Sequence, residues 1–155
     1  MKEHPIIFST ESVKAILEGR KIQTRRVIKP QPVLTDFGWV LTAKGDSPKP
    51  AYCPYGQVGD RLWIRRTKQG KFIWKKSEAE VWLEITGVRV ERLQEITIED
   101  VKSEGILIKE TTVGDWTFTS IITDFAILWD SLNFKRGYGW DTNPWVWVIE
   151  FKNVE

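Results

Sequence analysis

The sequence predicts an α+β fold: a small, curved, mainly antiparallel β-barrel flanked by helices, in one domain over residues 1–155. Three observations carry this reading. The apolar pattern lacks the regular strand–helix rhythm of a parallel sheet. The strand pattern of residues 80–93 changes phase at Gly87, the mark of a bulge that bends a sheet. The last strand is apolar on both faces, with Trp145, Trp147, Ile149 and Phe151 on one and Val146 and Val148 on the other. A chain of 155 residues fits one domain that buries about two thirds of its unfolded surface.

Each element follows from local pattern. His4 to Phe8 reads as a short strand. Ser9 or Thr10 is a natural N-cap for a helix whose Val13, Ile16 and Leu17 share a face, and Gly19 stops it. Ile22 to Val27 resumes as extended chain, with Thr24 and Arg26 on one side. Pro30, Pro32, Pro48, Pro50 and Pro54 mark residues 29–59 as a long Pro-rich insertion, with a small excursion strand expected at Phe37–Ala43. Arg61 to Arg66 is a strand, Leu62 and Ile64 facing one way and Arg61, Trp63 and Arg65 the other. Lys71 to Lys75 is its expected hairpin partner. Val81, Leu83 and Ile85 alternate up to the shift at Gly87. Thr97-Ile98-Glu99-Asp100 matches a capping box opening a brief helix that ends at Gly105. Ile106 to Phe118 reads as extended with a turn near Gly114-Asp115. Ile121, Ile122, Phe125, Leu128, Trp129 and Leu132 form a helical stripe expected in the core.

Composition excludes several classes. No apolar run approaches the ~18 residues of a membrane span, and the N-terminus lacks a signal-peptide core, so a soluble intracellular protein is expected. One cysteine, Cys53, and one histidine, His4, leave no internal disulfide and no zinc set; no metal and no cofactor are expected. The nine tryptophans are read mainly as packing residues, with one or two able to stack on a planar ligand. The net charge of +2 divides unevenly, +10 over residues 1–76 and −8 over 77–155. Arg20, Arg25, Arg26, Arg61, Arg65 and Arg66 are expected on one positive surface that attracts phosphates, with Trp63 sharing the strand face of Arg61 and Arg65.

The chemistry-bearing stretch is Gly19-Arg20-Lys21-Ile22-Gln23-Thr24-Arg25-Arg26. A Ser-His-Asp arrangement is disfavoured, because the one histidine, His4, lies in the N-terminal strand and no serine elbow is present. Gly56-x-x-Gly59 is too short for a phosphate-cradling loop and precedes a strand. Lysine-based chemistry remains. A lysine serves as base only as the free amine, a form that neighbouring cations and burial favour, and it then activates a threonine hydroxyl or a water. On spacing alone a solvated basic turn is the favoured explanation, because a lysine and a threonine three apart are common.

The same stretch resembles the ASCH family of the PUA-like superfamily, in which a Gly-Arg-Lys-x-x-Thr-x-Arg signature lies between the first helix and the next strand. Gly59-Asp60-Arg61-Leu62-Trp63, Val101-Lys102-Ser103-Glu104-Gly105 and Trp147-Val148-Ile149-Glu150-Phe151 extend the resemblance over nearly the whole chain. Cys53-Pro54-Tyr55-Gly56 and Asn143-Pro144-Trp145-Val146-Trp147 resemble a longer subgroup often carried by phages and prophages, which implies the cytoplasm of a bacterial host. One departure stands out: Arg65-Arg66-Thr67 replaces the subgroup's usual Arg-Glu-Thr. The resemblance implies an RNA or nucleoside ligand, since other members are linked to RNA binding or RNA cleavage, so a ribonuclease-like protein is an alternative. It also implies amidohydrolase chemistry on N4-acetylcytidine by a lysine, a threonine and a glutamate, here Lys21, Thr24 and Glu104. Three readings stay open: this enzyme, a nucleic-acid-binding module without chemistry, and a phage accessory protein that binds another protein. A pocket holding the three residues, a continuous basic groove, or a broad exposed apolar patch would separate them.

Overall fold

The computed structural model describes residues 1–35, 38–40, 53–107, 110–113, 116–119 and 121–154. In chain order these form β1 (Glu3–Ile6), α1 (Thr10–Leu17), β2 (Gln23–Val27), β3 (Val33–Thr35), β4 (Gly38–Val40), β5 (Arg61–Ile64), β6 (Trp82–Arg92), α2 (Ile98–Ser103), β7 (Glu110–Val113), β8 (Trp116–Thr119), α3 (Ile121–Asn133) and β9 (Trp145–Val154).

Five strands make one sheet in the order β1-β5-β6-β9-β2. The expected barrel is not closed. β1 pairs with β5 in parallel, all other pairs in this sheet are antiparallel, and β1 and β2 remain as its two edges. The reason is local. Just beyond β1, side chains rather than a strand take the backbone acceptors. Arg26 Nη2 donates to Ile7 O at 2.8 Å and Arg66 Nε donates to Phe8 O at 2.7 Å. The Arg26 bond thus links edge strand β2 to the chain leaving β1, with no ladder between the edges, while Arg66 binds that chain from the β5 side.

The two-faced final strand is the structural centre, and it does separate two cores. Trp147, Ile149 and Phe151 pack with Ile6, Leu62, Ile64, Leu83 and Ile85 on one side. Val146 and Val148 pack with Leu93, Val101, Ile121, Phe125 and Trp129 on the other. The phase change in β6 is a register shift between Ile85 and Gly87 against β9. A Cβ at Gly87 would lie 2.9 Å from a Glu150 carboxylate oxygen, so a larger residue there would displace that side chain.

Helix ends follow the sequence. Ser9 Oγ accepts from Ser12 N, and Thr97 and Asp100 cap α2 reciprocally. Elsewhere the structure corrects the reading. Lys71–Lys75 forms no strand beside β5; a single bridge joins Arg66 to Phe72. Two backbone bonds flank that bridge, Thr67 N to Lys71 O at 2.8 Å and Ile73 N to Arg65 O at 3.3 Å, while Ile73 O accepts from Arg65 Nε. In the Pro-rich segment β4 falls on the expected excursion strand and pairs antiparallel with β3; residues 36, 37 and 41–52 lie outside the described residues. β7 and β8 pair as expected, and the turn residues Gly114 and Asp115 lie outside the described residues. The α3 stripe divides. Ile121, Phe125 and Trp129 are buried, whereas Leu128 and Leu132 are 49% and 64% exposed, beyond the reach of the sheet. Among the described residues no helix is long and apolar enough to cross a membrane.

Asp60 ties the start of β1 to the turn before β5. Its carboxylate accepts from Lys2 N at 2.9 Å and from Gln57 N at 3.1 Å. These bonds, with His4 nearby, hold its pKa below the ordinary aspartate value. A folded-state pKa below the unfolded one stabilises the fold above about pH 4 and loses that effect as pH falls through the folded value. Urea unfolding across acid to neutral pH therefore shows a shallower acid-side decline in Asp60→Asn than in the parent. In the fully buried core, Leu83→Ala lowers unfolding free energy by about 2–5 kcal/mol through lost burial and a residual cavity.

Candidate functional site

A cavity of about 1080 Å³ opens between the end of β1, the edge strand β2 and α3. Its chemistry begins where α1 stops. Gly19 turns the chain with φ 77°, and the N–H groups of Arg20 and Lys21 both donate back to Ala15 O. Lys21 then pairs antiparallel with Glu104, and Ile22 N donates to Ser103 O at 2.8 Å. The end of α2 is thereby docked on the chain that leads into β2. Gly105 permits this approach: its φ is 92°, and a Cβ there would lie 2.9 Å from Lys21 Cβ.

The docking places two side chains face to face. Lys21 Nζ donates to Glu104 Oε2 at 2.9 Å and to Glu104 O at 2.9 Å. Their side chains are 7% and 8% exposed. The other carboxylate oxygen of Glu104 accepts from Arg25 Nη1 at 3.1 Å. Arg25 is fully buried and also lies 3.4 Å from Glu91 and 3.3 Å from Asp100. Gln23, on the same strand face, accepts from Arg25 through its Oε1 and donates to Glu150 at 3.2 Å. Burial raises the pKa of Asp100, but the Thr97 bonds and the Arg25 charge outweigh it, so Asp100 stays below the usual carboxylate value. Glu104 is thus held from both sides of β2, by Lys21 and by a guanidinium fixed from behind.

Thr24 and Arg26 project from the opposite face of β2, and both line the cavity with Lys21 and Glu104. Thr24 is buried. The Arg26 guanidinium lies 4.9 Å from the Phe8 ring centre and 5.7 Å from that of Tyr55. Burial lowers its pKa, with Tyr55 and Glu104 opposing the shift, and a guanidinium remains charged in any case. Arg65 and Arg66 complete the cationic wall.

The six arginines expected on one surface are divided. Arg25, Arg26, Arg65 and Arg66 all line the cavity, but the Arg25 guanidinium is held by Glu91, Asp100 and Glu104. Arg20 pairs with Glu18 at 2.7 Å and donates to Gly105 O at 2.7 Å. Arg61 stands opposite Glu84 in the β5–β6 register. Trp63 is buried against β5's neighbours, with the Arg65 guanidinium 5.9 Å from its ring. Sequence reasoning did not single out Phe8 and Tyr55 as ligand-facing, and it read Asp100 only as a cap. An aromatic two residues beyond a short strand carries no separate signal, and a cap's second partner is a tertiary contact.

Arg25→Met leaves Glu104, Glu91 and Asp100 without their buried cation. A loss of roughly 3–5 kcal/mol in unfolding free energy is expected by chemical denaturation, whereas Arg20→Ala changes it by about 0–1 kcal/mol.

The sequence matches no family model and no curated protein. Solved structures do align over almost its full length. An ASCH domain from Lactobacillus crispatus JV V101 superposes with a TM-score of 0.54 at 15% identity, covering 98% of this chain and 79% of that one. A protein from Enterococcus faecalis V583 superposes with a TM-score of 0.55 at 11% identity, covering 99% and 80%. At such identities the likeness is one of fold. The chain shares the fold of the ASCH domain, the family that its Gly19–Arg26 signature resembles.

Proposed function

We propose that the cavity binds a nucleobase-bearing ligand, and that Lys21, Thr24 and Glu104 hydrolyse an exocyclic amide on it, with N4-acetylcytidine as the type substrate. The observation that carries this reading is the gathering of these three residues, from the end of α1, from β2 and from the end of α2, on one cavity with ample room for a nucleoside. Phe8 and Tyr55, beside Arg26, offer flat faces and a fixed positive charge next to the reacting groups.

The reaction consumes one water and releases acetate and cytidine. Lys21, as the free amine, takes the proton of the Thr24 hydroxyl or of a water beside it. The oxygen adds to the amide carbonyl, and the negative oxygen that forms lies toward Arg26. Collapse breaks the C–N bond, and the leaving amine receives a proton from Lys21. Glu104, 2.9 Å from Lys21 Nζ, orients the amine and is the group placed to hold its proton between steps. If Thr24 is the attacking group, a water then hydrolyses its acetyl ester and restores the hydroxyl. The association with phages and a bacterial cytoplasmic location belong to the same proposal and rest on the sequence resemblance.

A second reading, ligand binding without chemistry, is favoured by one observation: Arg66 lines the cavity and donates to Phe8 O, where the resembling subgroup usually carries a glutamate.

Incubation with N4-acetylcytidine, followed by chromatography, separates the two. The first reading expects cytidine release, a fall of at least about 100-fold in Lys21→Met, partial activity in Thr24→Ser and none in Thr24→Val. Undiminished activity in Lys21→Met contradicts the mechanism. Saturable nucleoside binding with no turnover in the parent protein replaces it with the second reading.

A further inference from the structure

We propose that residues 65–76 form a binding platform for single-stranded nucleic acid, outside the cavity and continuous with it through Arg65. This twelve-residue segment carries Arg65, Arg66, Lys68, Lys71, Lys75 and Lys76 and no acidic residue. Lys68, Lys71, Lys75 and Lys76 are exposed. Among them one ion pair is formed to a carboxylate, that of Lys76 with Glu3 at 2.5 Å. Glu78 and Glu80 follow the segment, and Glu80 accepts from the backbone N–H of Lys68.

The aromatic part is equally specific. Trp74 is 75% exposed, the indole ring standing where no core requires it. Phe72 packs edge-on against it, with ring centres 4.8 Å apart. The Arg65 guanidinium lies 4.9 Å from the Phe72 centre and 5.1 Å from the Trp74 centre. Arg65 Nε also donates to Ile73 O, which fixes the guanidinium against these rings. Because Arg65 belongs to the cavity wall, the aromatic pair stands beside the cavity rather than on a remote face.

An exposed indole braced by a ring and a guanidinium presents a flat stacking surface. Lysines on the same segment present mobile cations at the spacing of a flexible backbone. Base stacking on aromatic faces combined with phosphate neutralisation is how single strands are held without sequence preference, and a duplex, with its bases stacked internally, cannot use the indole. Charge complementarity therefore selects a polyanion, and the aromatic faces select unpaired bases. The proposal concerns binding on this surface and stands whether or not the cavity hydrolyses an amide.

The test is fluorescence anisotropy with labelled single-stranded RNA and DNA ten-mers (roughly the span of one small binding domain) and a duplex of the same length, titrated with the full chain over a range of salt. Both single strands should bind more tightly than the duplex, with affinity falling as salt rises. A preference between the RNA and the DNA strand would show which of the two the platform serves. Trp74→Ala, at an exposed position, should weaken single-strand binding about tenfold and leave the salt dependence unchanged. Lys71→Gln with Lys75→Gln should flatten the salt dependence by about one to two phosphate contacts. Trp74 does not line the cavity, so Trp74→Ala should leave cytidine binding there as it was, which separates a failure of the platform from a failure of the cavity chemistry. No binding of either single strand, equal affinity for the duplex, or unchanged affinity in Trp74→Ala would each overturn the proposal.

Discussion

The carboxylate of Glu104 is the constraint on which the site depends. It follows a helix of only six residues, α2, too short to persist alone, and it is held because three independent groups converge on it. Lys21 bonds one oxygen, Arg25 bonds the other, and the backbone around it pairs with the chain entering β2. Removing a buried carboxylate from water is unfavourable unless its hydrogen-bonding capacity is met. Here it is met by two cations from opposite sides of one edge strand. The same contacts cover the start of an edge that would otherwise present unpaired backbone groups to solvent.

This arrangement explains why the cavity lies where the sheet fails to close. A ladder between β1 and β2 would fill the gap between the edges with backbone. Instead Arg26 reaches across from β2 to the carbonyl of Ile7, and Arg66, just past β5, takes that of Phe8. The gap is kept open, lined by charge and by the Phe8 ring, and bounded on its far side by the end of α3. The bulge at Gly87 and the two-faced β9 serve the same geometry. β9 gives each face of the sheet its own core, with α3 packed over Val146 and Val148 and also walling the cavity.

Much of this was legible in the sequence because it depends on local chemistry. Ser9, Gly19, the Thr97–Asp100 box and the phase change at Gly87 each act within a few residues, and each appears where the pattern placed it. The gathering of Lys21 with Glu104 became an expectation only through the family resemblance, since nothing in either local sequence requires it. What escaped was tertiary. A run of cations in sequence does not say which will be buried: β2 alternation sends Arg25 into a nest of carboxylates and Arg26 into the cavity, although the two are neighbours. Closure of the sheet was over-read for the same reason, because side chains competing for the Ile7 and Phe8 carbonyls are invisible to strand periodicity. The exposed Leu128 and Leu132 continue a helical stripe that the sheet is too narrow to cover.

The central claim is that the Lys21–Glu104 end of the cavity is where a nucleoside sits. Its most direct test is NMR, following backbone amides and lysine Nζ signals while cytidine is titrated into the protein. The account predicts saturable shifts centred on Lys21, Thr24, Arg26 and Glu104, with Lys21 Nζ among the largest. Saturable shifts centred elsewhere, or none at cytidine concentrations that saturate binding measured independently, would contradict it.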